Sequence, residues 1–187
     1  MAVFSLDIRF DPVQQARLRA EFSGAPEKIR RILVAAVRKT TTGAKTEASK
    51  IIRSRLRLSK ARVDEDLTPV TRQTAEGASG SLRVTATTPR LITYGARLKF
   101  GRDRKVSGVI VSAVRGELAT LLKHAWIARG KGGTEMVFER VLGETSAKTG
   151  RAKIRRLFGP SPAGALRGES ETRLNELEAN LNARLAK

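Results

Sequence analysis

From Pro26 to about Leu58 the chain reads as one long helix, about 45–50 Å at 1.5 Å per residue. Such a helix, apolar on one side only, needs a second layer broad enough to cover its apolar stripe. At about 100° per residue, Ile29, Leu33, Ala36, Thr40, Ala44, Ala48, Ile51 and Leu56 fall on one face. Lys28, Arg31, Arg38, Lys39, Lys45, Lys50, Arg53 and Arg57 fall on the opposite face, with Arg30 and Arg55 at the apolar margin. The centre, Thr40-Thr41-Thr42-Gly43, has poor helix propensity, Gly alone costing up to about 1 kcal/mol against Ala. That predicts a bend there, or tertiary packing that overrides local preference.

The second layer is read as a small sheet. Phe4, Leu6, Ile8 and Phe10 alternate with Ser5, Asp7 and Arg9, the period of a half-buried strand. Asp11-Pro12 starts a short helix to about Phe22, and Ser23-Gly24 breaks it. After the long helix comes an Arg/Asp/Glu-rich turn from Ser59 to Thr68, then a break at Gly77-Ala78-Ser79-Gly80. Strand character follows at Leu82 to Thr87, Leu91 to Tyr94, Val106 to Val114, His124 to Ala128 and Glu135 to Val141. Glycine- and charge-rich turns between them favour an antiparallel meander over βαβ crossovers. Glu117 to Leu122 is read as a helical turn.

Glu169 to Lys187 is a second amphipathic helix, acidic in its first turn and basic in its last. Its narrow stripe of Leu174, Leu177, Leu181 and Leu185 suits packing against one other helix, of its own domain or of a neighbouring subunit. The expected fold class is therefore α+β: a long amphipathic helix on a small, mainly antiparallel sheet, with a C-terminal helix. The expected organisation is one domain over 1–166, with its sheet over 81–158, and a helical extension over 167–187.

Lys and Arg outnumber Asp and Glu by 37 to 18, a net charge of +19, which attracts polyanions. Twelve of these cations lie in 26–62, ten in 90–131 and five in 148–156, against two, two and no acids. A spread of this kind suits contact with backbone phosphates rather than reading of bases. Aromatics are scarce, so stacking platforms for single strands are not expected. With no cysteine and a single histidine, His124, thiolate and multi-histidine metal sites are excluded. The chain reads as a soluble protein of a reducing cytoplasm, with no run of transmembrane length.

The candidate chemistry is thin. Gly130-Lys131-Gly132-Gly133-Thr134 lacks the phosphate-loop spacing and reads as a hairpin turn. His124 beside Trp126 has no nucleophile motif and reads as a structural histidine. Asp64-Glu65-Asp66 reads as a solvated turn rather than a cation site. No catalytic residue, metal or cofactor is expected.

Four runs carry a family resemblance. They are the basic helix from Ala35 to Arg53, Ile92-Thr93-Tyr94-Gly95-Ala96-Arg97, Ala125-Trp126-Ile127-Ala128 followed by Met136-Val137-Phe138-Glu139-Arg140, and Ile154-Arg155-Arg156-Leu157-Phe158-Gly159-Pro160-Ser161. In this order, over about residues 26–166, the chain resembles the phage minor tail protein Z family, the tail completion proteins of lambda-like long-tailed phages. Lys153 stands where that family has Pro, Arg156 where it has an acid, and the His-Arg-Gly pattern after Ala128 is missing.

The resemblance implies a structural virion protein. It would complete the tail at its head-proximal end and join it to the head, as a subunit of a homo-oligomeric ring around the DNA path, hexameric by family analogy. Tail-terminator and head-completion proteins would be its neighbours, with no membrane partner; it would reside in the virion, and in host cytoplasm during assembly. The basic helix face would meet DNA or acidic neighbours, while Tyr94, Arg97, Ile154, Leu157, Phe158 and Pro160 would serve as interface or packing anchors. Gly159-Pro160 would end the Leu157-Phe158 anchor at a fixed angle, since Pro locks φ. The alternative from another class is a nonspecific, nucleoid-type DNA-binding protein, which binds duplex strongly on its own.

Overall fold

A computed structural model of the chain describes residues 4–9, 13, 16–17, 20, 26–74, 77–85, 87–130, 132–145 and 150–167. The fold is α+β: a long helix, small antiparallel sheets and a short helix towards the C-terminus. Where the sequence reads as one domain, the chain groups into two compact units. The first comprises Met1–Ile52, Lys60–Ala86 and Pro162–Lys187; the second comprises Arg53–Ser59 and Thr87–Ser161.

In the first unit α1, Pro26–Arg55, starts with a proline at a position where the missing N–H costs nothing. Its buried stripe is Ile29, Leu33, Val37, Thr40, Thr41, Ala44, Ala48, Ser49 and Ile52. Val37, Thr41, Ser49 and Ile52 replace the expected emphasis on Ala36 and Ile51, both only partly buried. Beside α1 lies a three-stranded antiparallel sheet in the order β1-β3-β2, built from β1 (Phe4–Arg9), β2 (Leu67–Thr74) and β3 (Gly77–Val84). Ile29, Leu33 and Val37 form one apolar cluster with Ala78 of β3.

The weak helix formers at the centre of α1 have a packing reason. The hydroxyls of Thr41, Thr42 and Thr46 donate to the carbonyls of Val37, Arg38 and Thr42, at 2.6, 2.9 and 3.2 Å, and so stay satisfied within the helix. At Gly80 the strand comes so close that an added Cβ would stand 2.8 Å from Val37 Cγ1. Packing against β3 therefore overrides propensity, and the helix runs through the threonines without interruption.

Ser59 to Thr68 was expected to be a turn, yet Lys60–Asp66 forms a helix, α2, and β2 begins at Leu67. Charges four apart explain it: Lys60 pairs with Asp64 at 2.7 Å and Arg62 with Asp66 at 3.1 Å. Gly77 to Gly80 is likewise no break but the first half of β3. The last described element, α3 (Pro162–Arg167), buries Pro162, Ala163, Ala165 and Leu166. The expected C-terminal helix with Leu174, Leu177, Leu181 and Leu185 lies outside the described residues. So does most of the short helix from Asp11, of which Val13, Ala16, Arg17 and Ala20 are described, each helical.

The second unit opens at Arg53, in the last turn of α1, and the helix ends at Arg55, three residues before the expected Leu58. Leu56 bridges Val114, and the Arg57 N–H donates to the Ala113 carbonyl at 2.9 Å. Leu91–Tyr94, expected as a strand, is a 3-10 turn closed by Gly95 at φ +76°, a conformation glycine adopts without strain. One sheet has the order β4-β5-β6: Arg97–Phe100, Val106–Val111 and Thr120–Leu122. The helical turn expected at Glu117–Leu122 is thus replaced by strand pairing, and the strand expected to reach Val114 stops at Val111. The other sheet has the order β7-β8-β9: Ala125–Arg129, Glu135–Thr145 and Ala152–Leu157. No helix among the described residues is long and apolar enough to cross a membrane.

Candidate functional site

Two of the runs singled out by sequence meet at one junction in the second unit. Arg90 bridges Phe158, and the Gly159 N–H donates to the Pro89 carbonyl at 2.8 Å. The hydroxyl of Tyr94 donates to the Pro160 carbonyl. Gly159 lies flat against the Tyr94 ring, where a Cβ would overlap ring carbons. Only glycine fits, and Pro160 then holds its carbonyl in place with a fixed φ.

The residues expected as interface or packing anchors differ in exposure. Tyr94 is the buried anchor, at 4% exposed, and Leu157 is half-buried. Phe158, expected as an interface or packing anchor, is 48% exposed, and its backbone makes the bridge to Arg90. Pro160, Arg97 and Ile154 are exposed as well. Arg97 joins Tyr94 in lining a cavity of about 320 Å³ that also includes Arg57, Ile110 and Ser112. Ile154 stands apart, opposite Arg140 in the β8–β9 register.

The second unit exposes several large apolar side chains around its sheets. Trp126 stacks on Phe138 with centroids 6.1 Å apart, and the Arg140 guanidinium lies 5.7 Å over the Trp126 ring. Within the unit Leu98, Phe100, Val106, Leu118, Leu121, Leu142, Ile154 and Phe158 are large exposed apolar side chains. Phe100 and Val106 are direct cross-strand partners, so they form one patch.

The basic face of α1 is less uniform than its periodicity implies. Lys28, Arg31, Arg38, Lys39 and Lys50 are exposed, whereas Lys45 and Arg53 are partly buried. Arg53 Nε is buried without a hydrogen-bond partner, and Arg57 lies beyond the helix end. Arg31, Arg38 and Lys39 line a groove with Gln73 of β2, a strand the sequence reading did not contain. The alternation Leu67, Pro69, Thr71, Gln73 was masked by the charged turn expected before it.

The acidic trio does not converge. Asp64 accepts from the Ser49 hydroxyl at 2.8 Å and pairs with Lys60, whose hydrogen bond holds its carboxyl below the usual aspartate range. Glu65 pairs with Arg62. Asp66 is buried and its pKa is raised by that burial, partly offset by Arg62; one carboxylate oxygen has no hydrogen-bond partner. Among the described residues no group of three or more acids and histidines gathers to hold a metal. His124 is exposed in the turn before β7, and its carbonyl rather than its ring takes the Arg140 N–H, at 3.4 Å. The Gly130–Thr134 segment closes the β7–β8 hairpin through Gly130 N–H to the Thr134 carbonyl, at 2.9 Å.

No protein-family model, no curated protein and no solved structure matches this chain.

Proposed function

We propose that the chain is a structural subunit of a larger assembly rather than an enzyme. The assembly we infer is the head-proximal end of a long phage tail. There the chain completes the tail and mediates joining to the head, as one subunit of a homo-oligomeric ring around the DNA path, hexameric by analogy with the minor tail protein Z family. Its neighbours in this reading are tail-terminator and head-completion proteins.

The observation that carries the reading is the meeting of Tyr94 with Gly159-Pro160. The two runs that most resemble the family, sixty-six residues apart at Tyr94 and Pro160, form one packed junction. The open apolar surface of the second unit adds support, because patches such as Phe100 with Val106 call for a covering partner. A second reading, a nucleoid-type DNA-binding protein, draws on the exposed cations of α1.

Mass spectrometry of purified particles of the encoding phage tests the first reading. The chain should be present, and its deletion should leave filled heads beside unjoined tails. Particles that lack the chain would end this reading. Tight duplex binding by the isolated protein, falling steeply with salt, would favour the second.

A further inference from the structure

Among the described residues the sheet of the first unit ends at β2, and Pro69 fixes how that edge faces. Pro69 stands opposite Leu82 of β3 and has no N–H to donate. Backbone groups of a strand point alternately to either side, so Thr68, Val70, Arg72 and Thr74 serve β3. Leu67, Pro69, Thr71 and Gln73 turn theirs to the outer edge. The same alternation puts these four side chains on the face towards α1. Their register partners Val84, Leu82, Gly80 and Ala78 are buried, and Gly80 lies against Val37 and Thr41 of α1.

Among the described residues nothing fills the outer margin of that face. Pro69 and Gln73 are exposed and Thr71 is half-buried. Two adjoining cavities of about 540 and 610 Å³ share Val34, Arg38, Thr42 and Gln73, and together they form a groove between α1 and β2. Its walls include Arg31, Arg38 and Lys39; none of the described lining residues is acidic, and Val34, Ala35 and Pro69 are its apolar ones.

We infer that this groove is a strand-docking site for an extended acidic segment of another protein. The segment adds to the outer edge of β2 as a fourth strand, taking the N–H groups of Thr71 and Gln73 and the carbonyls beside them. Its alternate carboxylates meet Arg31, Arg38 and Lys39, and its apolar carbons lie on Val34, Ala35 and Pro69. A second copy of this chain is a poorer occupant. Among the described residues its edge strands are neutral or basic, with one acid and one base in β1 and three bases without an acid in β9. Duplex DNA offers no backbone ladder to the strand edge. The inference stands on the first unit alone and holds whether or not the chain belongs to a phage tail.

The test uses the full chain, labelled with ¹⁵N, and a synthetic peptide alternating glutamate with valine and threonine. A peptide of the same composition with its glutamates contiguous is the control. The alternating peptide should bind at least tenfold more tightly and slow hydrogen exchange at the Thr71 and Gln73 amides. Thr71→Pro removes one outward donor at a position equivalent to Pro69, and should weaken binding at least tenfold. Arg38→Glu with Lys39→Glu should do the same while leaving the unfolding midpoint near that of the native chain, which covers the case in which Thr71→Pro fails to fold. Equal affinity for the two peptides overturns the proposal, as does full binding by the charge-reversed variant. Protection of the same amides by a short duplex, or by raised protein concentration without peptide, assigns the edge to DNA or to a second copy and overturns it equally.

Discussion

Tyr94 and Gly159 are matched by shape. The ring occupies the space a side chain at 159 would need, and the Tyr94 hydroxyl is held by the next carbonyl, that of Pro160. Tyr94→Phe keeps the ring and loses the hydrogen bond, and should cost about 1 kcal/mol. Gly159→Ala should cost more, about 1–3 kcal/mol, because the ring or the backbone must move. Urea denaturation of both variants checks the order, and a Gly159→Ala midpoint at or above that of Tyr94→Phe would contradict it.

A second close approach makes an independent prediction in the first unit. Gly80→Ala forces a methyl against Val37 and Thr41 and should destabilise by about 1–3 kcal/mol. Val37→Ala removes one of the opposing groups, so the double variant should lose less than the two single losses added together. Strict additivity in a double-mutant cycle would mean that α1 and β3 do not touch there as described.

Acid titration should separate two neighbouring carboxylates. Asp64 has its pKa lowered in the fold, chiefly by the Lys60 hydrogen bond. Its stabilising share is present above the unfolded-state value near pH 4, and is lost as pH falls through the folded value. Asp66 has its pKa raised, chiefly by burial. Its share is full below about pH 4 and is lost as pH rises through the folded value. The cost of Asp64→Asn should therefore shrink on acidification, and that of Asp66→Asn should shrink towards neutral pH. Thermal unfolding at a series of pH values measures both.

Phe100 and Val106 form an exposed apolar pair on neighbouring strands, at 57% and 49% exposure. Replacing them with Ser and Thr should change monomer stability by no more than about 0.5 kcal/mol. Within an assembling subunit the same change should lower oligomer content in sedimentation velocity. An unchanged profile would remove this pair from the proposed interface.

The long helix was legible because a 3.6-residue period persists over eight turns of ordinary residues. Its buried centre was legible in part: Thr40, Ala44 and Ala48 are buried as the period implies, whereas Thr41 and Ser49 look polar in sequence while their hydroxyls are satisfied by Val37 and Asp64. The second half of the chain was readable as antiparallel strands joined by short turns. Leu91–Tyr94 misled because four apolar residues suit a strand and a 3-10 turn equally, and the later contact with Pro160 decides between them. β2 was missed for the opposite reason: its neighbours Asp64, Glu65 and Asp66 suggested solvent, whereas i,i+4 pairing folds them into α2. With β2 went the groove, since a helix face shows its charges in sequence but not the strand edge beside them.

α3 supplies four buried residues to a unit whose other parts end at Ala86 in sequence. All of the second unit beyond Ser59 is synthesised in between. On the ribosome the first unit must therefore wait, its apolar surface incomplete, until the whole of 87–161 has emerged. A chain stopped before Pro162 lacks these closing residues, so nascent or truncated forms should be more aggregation-prone than chains that carry α3.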